Sequence, residues 1–363
     1  MFTGRRMQAL RFHAKRDLRI EEVKAPGEPG PGQLRIRNRY CGICGTDVHE
    51  YLGGPIFIPT APHPFTRAHG PQILGHEFSG VVDAVGEGVN SVSVGDRVSV
   101  QPLIMPRSGE FYADRGLYHL SSQIAVVGLS FAWGGFAESA LLNEYNVAKV
   151  PDGVTDEEAA MVEPAAVAVY SCERGGVHAG DSVLVTGAGP IGLLTVLAAR
   201  AAGATTVFLS DINDSRLELA EKAAPGVRTI NPTRANVGEV VRDQTEGKVG
   251  CDVALECVGN ESALKACVDA VRKRGVVVQT GLHPGESAIN WFDVTFKDIE
   301  LRGAFAYPTW SWPRVLNLIG TGALPVRKIL TNTIALDAVM KDGFDALLDP
   351  SGRQIKVLID LEK

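Results

Sequence analysis

Residues 40–51 read YCGICGTDVHEY: two cysteines three apart, Cys41 and Cys44, then a Thr-Asp pair and a histidine. Taken alone, the stretch suits a redox dithiol, half of a zinc cage, or one corner of a catalytic metal site. A zinc ribbon needs a second C-x-x-C or a suitably spaced His pair. The other four cysteines, Cys172, Cys251, Cys257 and Cys267, form neither. A redox dithiol needs its own strand–helix setting, and short strands surround this one. A catalytic metal needs three protein ligands from distant segments and one open position. ILGHEFSG supplies His76 and Glu77 in a loop between apolar strands, and MVEPAAVA supplies Glu163 in an otherwise apolar run. A lone carboxylate in such a run is costly unless it is paired or binds a metal.

A second chemical signal lies in SVLVTGAGPIGLLTVLAARAAGA, where Gly187, Gly189 and Gly192 make G-x-G-x-x-G. The motif means something because an apolar strand precedes it and a helix follows. Gly187 permits the tight turn, Gly189 lets backbone N–H groups approach a pyrophosphate, and Gly192 lets the helix sit close to the sheet. Pro190 and Ile191 inside the motif and Arg216 beyond it complete the expected cofactor-binding set. The next strand ends in Asp211, about twenty residues on, where a carboxylate bonds the ribose hydroxyls and repels a 2′-phosphate. NAD is therefore expected rather than NADP.

These residues need two kinds of scaffold. The first half reads as short strands between Gly and Pro turns: QALRFHA, DLRIEEV, QLRIRNRY, FSGVVDAVG and GDRVSVQPL. From about residue 155 the texture changes to an Ala-rich helical stretch, DEEAAMVEPAAVAVYSCERG. Strands at 182–187, 206–211, 227–231, 252–259, 276–281 and 299–305 then alternate with helices at 190–202, 214–224, 234–246 and 261–273. That alternation predicts an α/β protein with a parallel, doubly wound sheet. The tail has a helix near 312–320 and a final strand, QIKVLIDL, expected to pack back on the first domain. The expected division is 1–164 with 306–363 as catalytic domain and 165–305 as nucleotide domain.

The 363 residues, 45% hydrophobic and 21% charged with net charge −6, suit a globular protein and not a nucleic-acid surface. No apolar run nears the roughly 18 residues of a membrane span. Arg5 and Arg6 have no apolar stretch behind them, so no secretory signal is expected. Six cysteines in such a chain point to reduced thiols in the cytoplasm.

Cys44-Gly45-Thr46-Asp47, Gly75-His76-Glu77, Glu163-Pro164 and the glycine motif, in this order, resemble the zinc-dependent medium-chain alcohol and polyol dehydrogenases. The likeness covers almost the whole chain and is strongest to the 2,3-butanediol dehydrogenase branch, with sorbitol and threonine dehydrogenases as neighbours. It implies a GroES-like β-rich catalytic domain beside a Rossmann domain. It implies zinc held by Cys44, His76 and either Glu77 or Glu163, with Cys41 a structural neighbour. Asp47 would bond the ligand histidine or cap the helix DVHEYL together with Thr46. The Thr46 hydroxyl would bond the alcohol oxygen, and His49 would pass the proton to solvent. The implied reaction is reversible oxidation of a small secondary alcohol or vicinal diol, 2,3-butanediol to acetoin being favoured over polyols. A non-enzymatic relative or a zinc-free reductase of the same fold would not need this residue set. Phe57, Trp291 and Phe305 are candidates for pocket or core.

The chain departs from the family in one place. Relatives carry a second, structural zinc on four cysteines; the matching positions here are Arg107, Glu110, Ala113 and Ser121. One zinc per chain is therefore expected, with Arg107 and Glu110 free to pair in its place. A homo-oligomer, dimer or tetramer, is expected, with the strand IELRGAF pairing across a two-fold axis.

Overall fold

The computed structural model describes residues 4–363. Six strands form one parallel sheet: Ser182–Thr186, Thr206–Ser210, Arg228–Ile230, Cys251–Glu256, Val271–Gln279 and Glu300–Gly303. In space the third lies beside the second, then the first, fourth, fifth and sixth. This is the doubly wound order, with its switch point at Ser182–Thr186. Helices Pro190–Ala201, Asp214–Ala223, Val237–Asp243 and Glu261–Ala270 supply the crossovers; the last two are shorter than the expected 234–246 and 261–273, and residues 271–273 open the strand Val271–Gln279 instead.

The other half is built on the strand Gln33–Gly42. It pairs antiparallel with Glu77–Val85, with Ser139–Asn143 and with the C-terminal strand Lys356–Asp360. The tail thus returns to the first domain, adding Leu330–Ala335 alongside. Gly42 faces Glu77 on one side and Leu358 on the other. That register brings the segments after Gly42, before Glu77 and around Lys356 to one end of the sheet.

The helical stretch expected over 156–175 is two helices, Asp156–Ala160 and Val162–Gly175. Met161 leaves helical geometry at φ −87°, ψ 1°. Thr155 caps the first through a reciprocal bond pair with Glu158. The break places Glu163 in the first turn of the second helix. This helix, the strands Ser182–Thr186 and Cys251–Glu256, and the tail helix Trp312–Gly320 share one apolar core. The two halves are therefore packed together, and within the first of them Trp312 Nε1 of the tail donates to Ser99 Oγ at 3.1 Å.

Arg107 and Glu110 do not pair. The Arg107 guanidinium lies 3.7 Å over the Tyr118 ring and 4.8 Å from that of Tyr145. Glu110 instead accepts from the N–H groups of Tyr112 and Ala113, at 3.1 and 3.0 Å. A flat guanidinium gains more between two rings than in an exposed ion pair.

Candidate active site

The helix Gly45–Gly53 begins directly after the strand Gln33–Gly42, with Cys44 as its N-cap. Asp47 Oδ2 accepts the Cys44 N–H at 2.9 Å, while its Oδ1 lies 3.6 Å from His76 Nδ1. One carboxylate thus serves both the helix start and the imidazole, the second beyond hydrogen-bond length. The capping pair is Cys44 with Asp47; Thr46 takes no part in it. The Thr46 hydroxyl instead lies 3.7 Å from Cys44 Sγ, and His49 is exposed further along the helix.

His76 and Glu77 enter from a turn at Gly75, whose φ of +92° suits glycine. A β-carbon there would press on Phe136 and on the sulfur of Cys41. Cys41 is itself fully buried in the core of this half, so it seats the turn rather than facing the site. Cys44, His76 and Glu77 then present ligand atoms within 4.8 Å of one another. Glu77 also pairs with the ammonium of Lys356, and Lys356 Nζ donates to the Ile43 carbonyl at 3.1 Å. Glu163 faces the same space without belonging to the closest trio, and the buried Tyr307 hydroxyl points toward its carboxylate.

The electrostatics follow from burial and crowding. Burial, then the charge of Glu77, pushes the Cys44 thiol up, with His76 opposing. Burial and Glu77 likewise raise Glu163 to about 7. Burial raises Asp47. Desolvation works against His76⁺, but Asp47 and Cys44 outweigh it and raise its pKa well above the usual value. Four acidic groups therefore share a buried space with one lysine. A divalent cation reverses these penalties, because its own charge dominates the site. Thiolate, imidazole and carboxylate are the donor set of a catalytic zinc with an open position. The protein side of the site fits that metal.

At the switch point, Gly187 takes φ +90° and Gly189 caps the helix Pro190–Ala201, with Pro190 in its first turn. A β-carbon on Gly192 would run into the Gly187 carbonyl. Ile191 holds the helix start, its carbonyl accepting from Thr195 Oγ1 at 2.7 Å. Asp211 accepts the N–H of Ala188 at 2.7 Å and that of Asn213 at 2.8 Å. Its carboxylate is thus fixed beside the glycine loop. Arg216 Nε is buried without a partner close by. Trp291 and Phe305 are exposed, as is Phe57, so none of the three fills a core. Lys356 and Tyr307 were not singled out from the sequence. The lysine inside the apolar run QIKVLIDL was a readable signal.

Comparison with known proteins shows the family and the fold. The family model described as "Alcohol dehydrogenase GroES-like domain" matches residues 30–152, and "Zinc-binding dehydrogenase" matches 190–321. The (R,R)-butanediol dehydrogenase of Bacillus subtilis (strain 168) is 37% identical over 355 residues, 97% of this chain and 99% of that protein. The sorbitol dehydrogenase of Homo sapiens is 32% identical over 97% of this chain and 96% of its own length. A crystal structure of 2R,3R-butanediol dehydrogenase from Bacillus subtilis superposes with TM-score 0.90 at 36% identity. It covers 98% of this chain and 99% of that one.

Proposed function

The chain belongs to the zinc-binding alcohol dehydrogenase family, and from that premise we propose that it is an NAD-dependent enzyme oxidising a small vicinal diol. The favoured reaction is 2,3-butanediol to acetoin, reversibly. The observation that carries this reading is the convergence of Cys44, His76 and Glu77 within 4.8 Å, with Glu163 as the alternative third ligand. When bound, zinc supplies Lewis acidity to an alcohol oxygen and the nicotinamide accepts hydride.

The chain's own residues handle the proton. Thr46 Oγ1, beside Cys44, accepts it from the alcohol hydroxyl as its own hydroxyl proton moves on toward His49. His49, exposed on the same helix, passes it to water; an imidazole can both accept and release a proton, which suits that step. Asp47 sets its carboxylate 3.6 Å from the ring of His76 and acts on it through charge. The fixed carboxylate of Asp211 favours a free ribose over a 2′-phosphate, which supports NAD. One zinc per chain is proposed, because none of the four positions of the second site is a cysteine.

Polyol oxidation is the second reading, supported by the equal coverage of the sorbitol dehydrogenase, with L-threonine 3-dehydrogenation beside it. We place the enzyme in the cytoplasm, where its six free cysteines stay reduced. We also propose a homo-oligomer, because the last strand of the sheet, Glu300–Gly303, leaves one edge and Leu301 exposed. A panel of diols and polyols with NAD and NADP, with and without chelator, tests the reading. The expected result is chelator-sensitive diol oxidation with NAD. Equal efficiency with NADP, or turnover indifferent to chelation, would overturn it.

A further inference from the structure

Asn213 has a partner for each of its polar groups. Its N–H donates to Asp211 Oδ1 at 2.8 Å, and its carbonyl accepts from Leu217 N at 3.2 Å. Its side-chain oxygen caps the helix Asp214–Ala223, accepting from Arg216 N at 3.2 Å. Its Nδ2 reaches out of the nucleotide half and donates to the Pro350 carbonyl at 3.0 Å. A helix cap needs only an oxygen, and serine or aspartate supplies one equally well. The amide nitrogen is surplus to the cap and serves the tail.

The tail is built around this amide. Gly352 is buried and takes φ +66°, where a residue with a β-carbon is strained. A β-carbon there would lie 2.5 Å from Asn213 Nδ2 and 2.9 Å from its amide carbon. The amide thus occupies the place of the missing side chain. Further along, Ile355 enters the same apolar core as Leu217 of the capped helix, and Lys356 meets Glu77. The short segment 350–356 therefore touches the neighbour of Asp211 at one end and a member of the metal trio at the other.

We infer that Asn213 is a positioning residue for the cofactor: it ties the carboxylate that receives the ribose to the tail segment 350–356, so that filling the ribose site also seats the catalytic half. This rests on the proposed NAD reading and deepens it. Asp211 already holds the N–H groups of Ala188 and Asn213. A ribose bonded to the same carboxylate restrains that turn further, and the restraint reaches Pro350 through one amide. Such coupling is reciprocal: if NAD steadies the tail, loosening the tail weakens NAD by the same factor.

The test uses the zinc-loaded full chain and three variants: Asn213→Ser, Gly352→Ala and the double variant. Serine keeps a capping oxygen but is too short to reach Pro350. Amide hydrogen exchange at residues 349–355 reads the tail, and exchange at residues 214–223 reads the cap. Without cofactor, Asn213→Ser should speed exchange of the tail about fivefold, the worth of one hydrogen bond, and leave the helix unchanged. In the parent, saturating NAD should slow exchange of the tail about tenfold, an ordinary size for such coupling; in Asn213→Ser that slowing should vanish. The NAD dissociation constant should rise about tenfold in Asn213→Ser and in Gly352→Ala, and no further in the double variant, because both break one contact. With NAD saturating, kcat should stay within about twofold of the parent, since the contact acts on cofactor binding and not on the transition state. Tail protection by NAD that survives in Asn213→Ser overturns the inference, as do unaltered NAD affinity in that variant and additive losses in the double one. Cofactor-free exchange that is the same in parent and Asn213→Ser overturns it whatever the cofactor. A parent that prefers NADP overturns the cofactor reading alone, because the cofactor-free comparison still decides whether the amide holds the tail.

Discussion

Lys356 and Glu77 form an ion pair with both side chains 1% exposed, beside the sulfur of Cys44 and the ring of His76. The sheet register creates the pair, since Gly42 lies opposite both Glu77 and Leu358. Burial disfavours the ammonium, but Glu77 and then Cys44 outweigh it and raise the Lys356 pKa. Lys356 is thus a buried ammonium in an acidic site that it shares with His76, and its removal should be felt differently with and without metal. In the chelated protein, Lys356→Met should cost about 3–5 kcal/mol, the penalty for stranding a buried charge. Zinc should recover part of that loss, because its charge then faces Glu77. Urea unfolding of both proteins, each with and without zinc, checks this. Equal losses in the two states would mean that Lys356 and the metal act on separate groups.

The proton path makes a sharper kinetic demand. Thr46→Ala should lower turnover by roughly 10²–10⁴, the usual worth of a general acid–base step, with NAD affinity and zinc content unchanged. His49→Gln should lose less, since water reaches this exposed position, and its effect should appear as an altered pH profile near neutrality. Alcohol oxidation followed against pH measures both. Near-normal turnover in Thr46→Ala would reduce that residue to a bystander of the helix start.

The Arg107 stack makes a prediction about the lobe at residues 107–121. Its guanidinium bridges Tyr118 and Tyr145 across the loop. Arg107→Ala should cost about 1–2 kcal/mol and open the exposed Phe111–Tyr112 segment to protease. Chelation of the parent protein should leave the cleavage rate there unchanged. If chelator alone accelerates it, a metal holds the lobe and the stack is secondary.

A pH dependence comes from the nucleotide domain. Asp252 accepts from Ser182 N at 2.8 Å, from Ser182 Oγ at 2.7 Å and from Arg272 Nε at 2.7 Å. Burial works to raise its pKa, but the Ser182 bonds and the Arg272 guanidinium prevail and hold it below the ordinary carboxylate value. The folded state thus favours the charged form. Its stabilisation is complete above the unfolded value of about 3.9 and is lost as pH falls through the lower folded value. Asp252→Asn should therefore be less stable than the parent near pH 6, with the gap closing toward pH 3. Urea midpoints of the two proteins at those pH values decide it; a constant gap would show that hydrogen-bond loss alone accounts for the effect.

The nucleotide half was legible because its parallel strands are covered on both faces and read as unbroken apolar runs such as SVLVT and DVALE. Gly187, Gly192 and Asp211 were legible because their spacing is local. The metal trio could be read from residue types but not from geometry, since His76 and Glu77 meet Cys44 only through pairing between distant strands. Register also hid Lys356, more than 300 residues from Cys44, though a lysine in an apolar strand gave a hint. In the sequence Arg107 and Glu110 are free to pair; the guanidinium instead lies over Tyr118 of the same lobe and near Tyr145 on a separate segment.

The most direct measurement is a zinc titration of the chelated protein, following NAD-dependent oxidation of 2,3-butanediol and protein-bound metal together. The account predicts no turnover without metal and full recovery at one zinc per chain, with Cys44→Ser neither binding the ion tightly nor recovering. Full activity without zinc, or a requirement for two tightly bound zincs per chain, would contradict it.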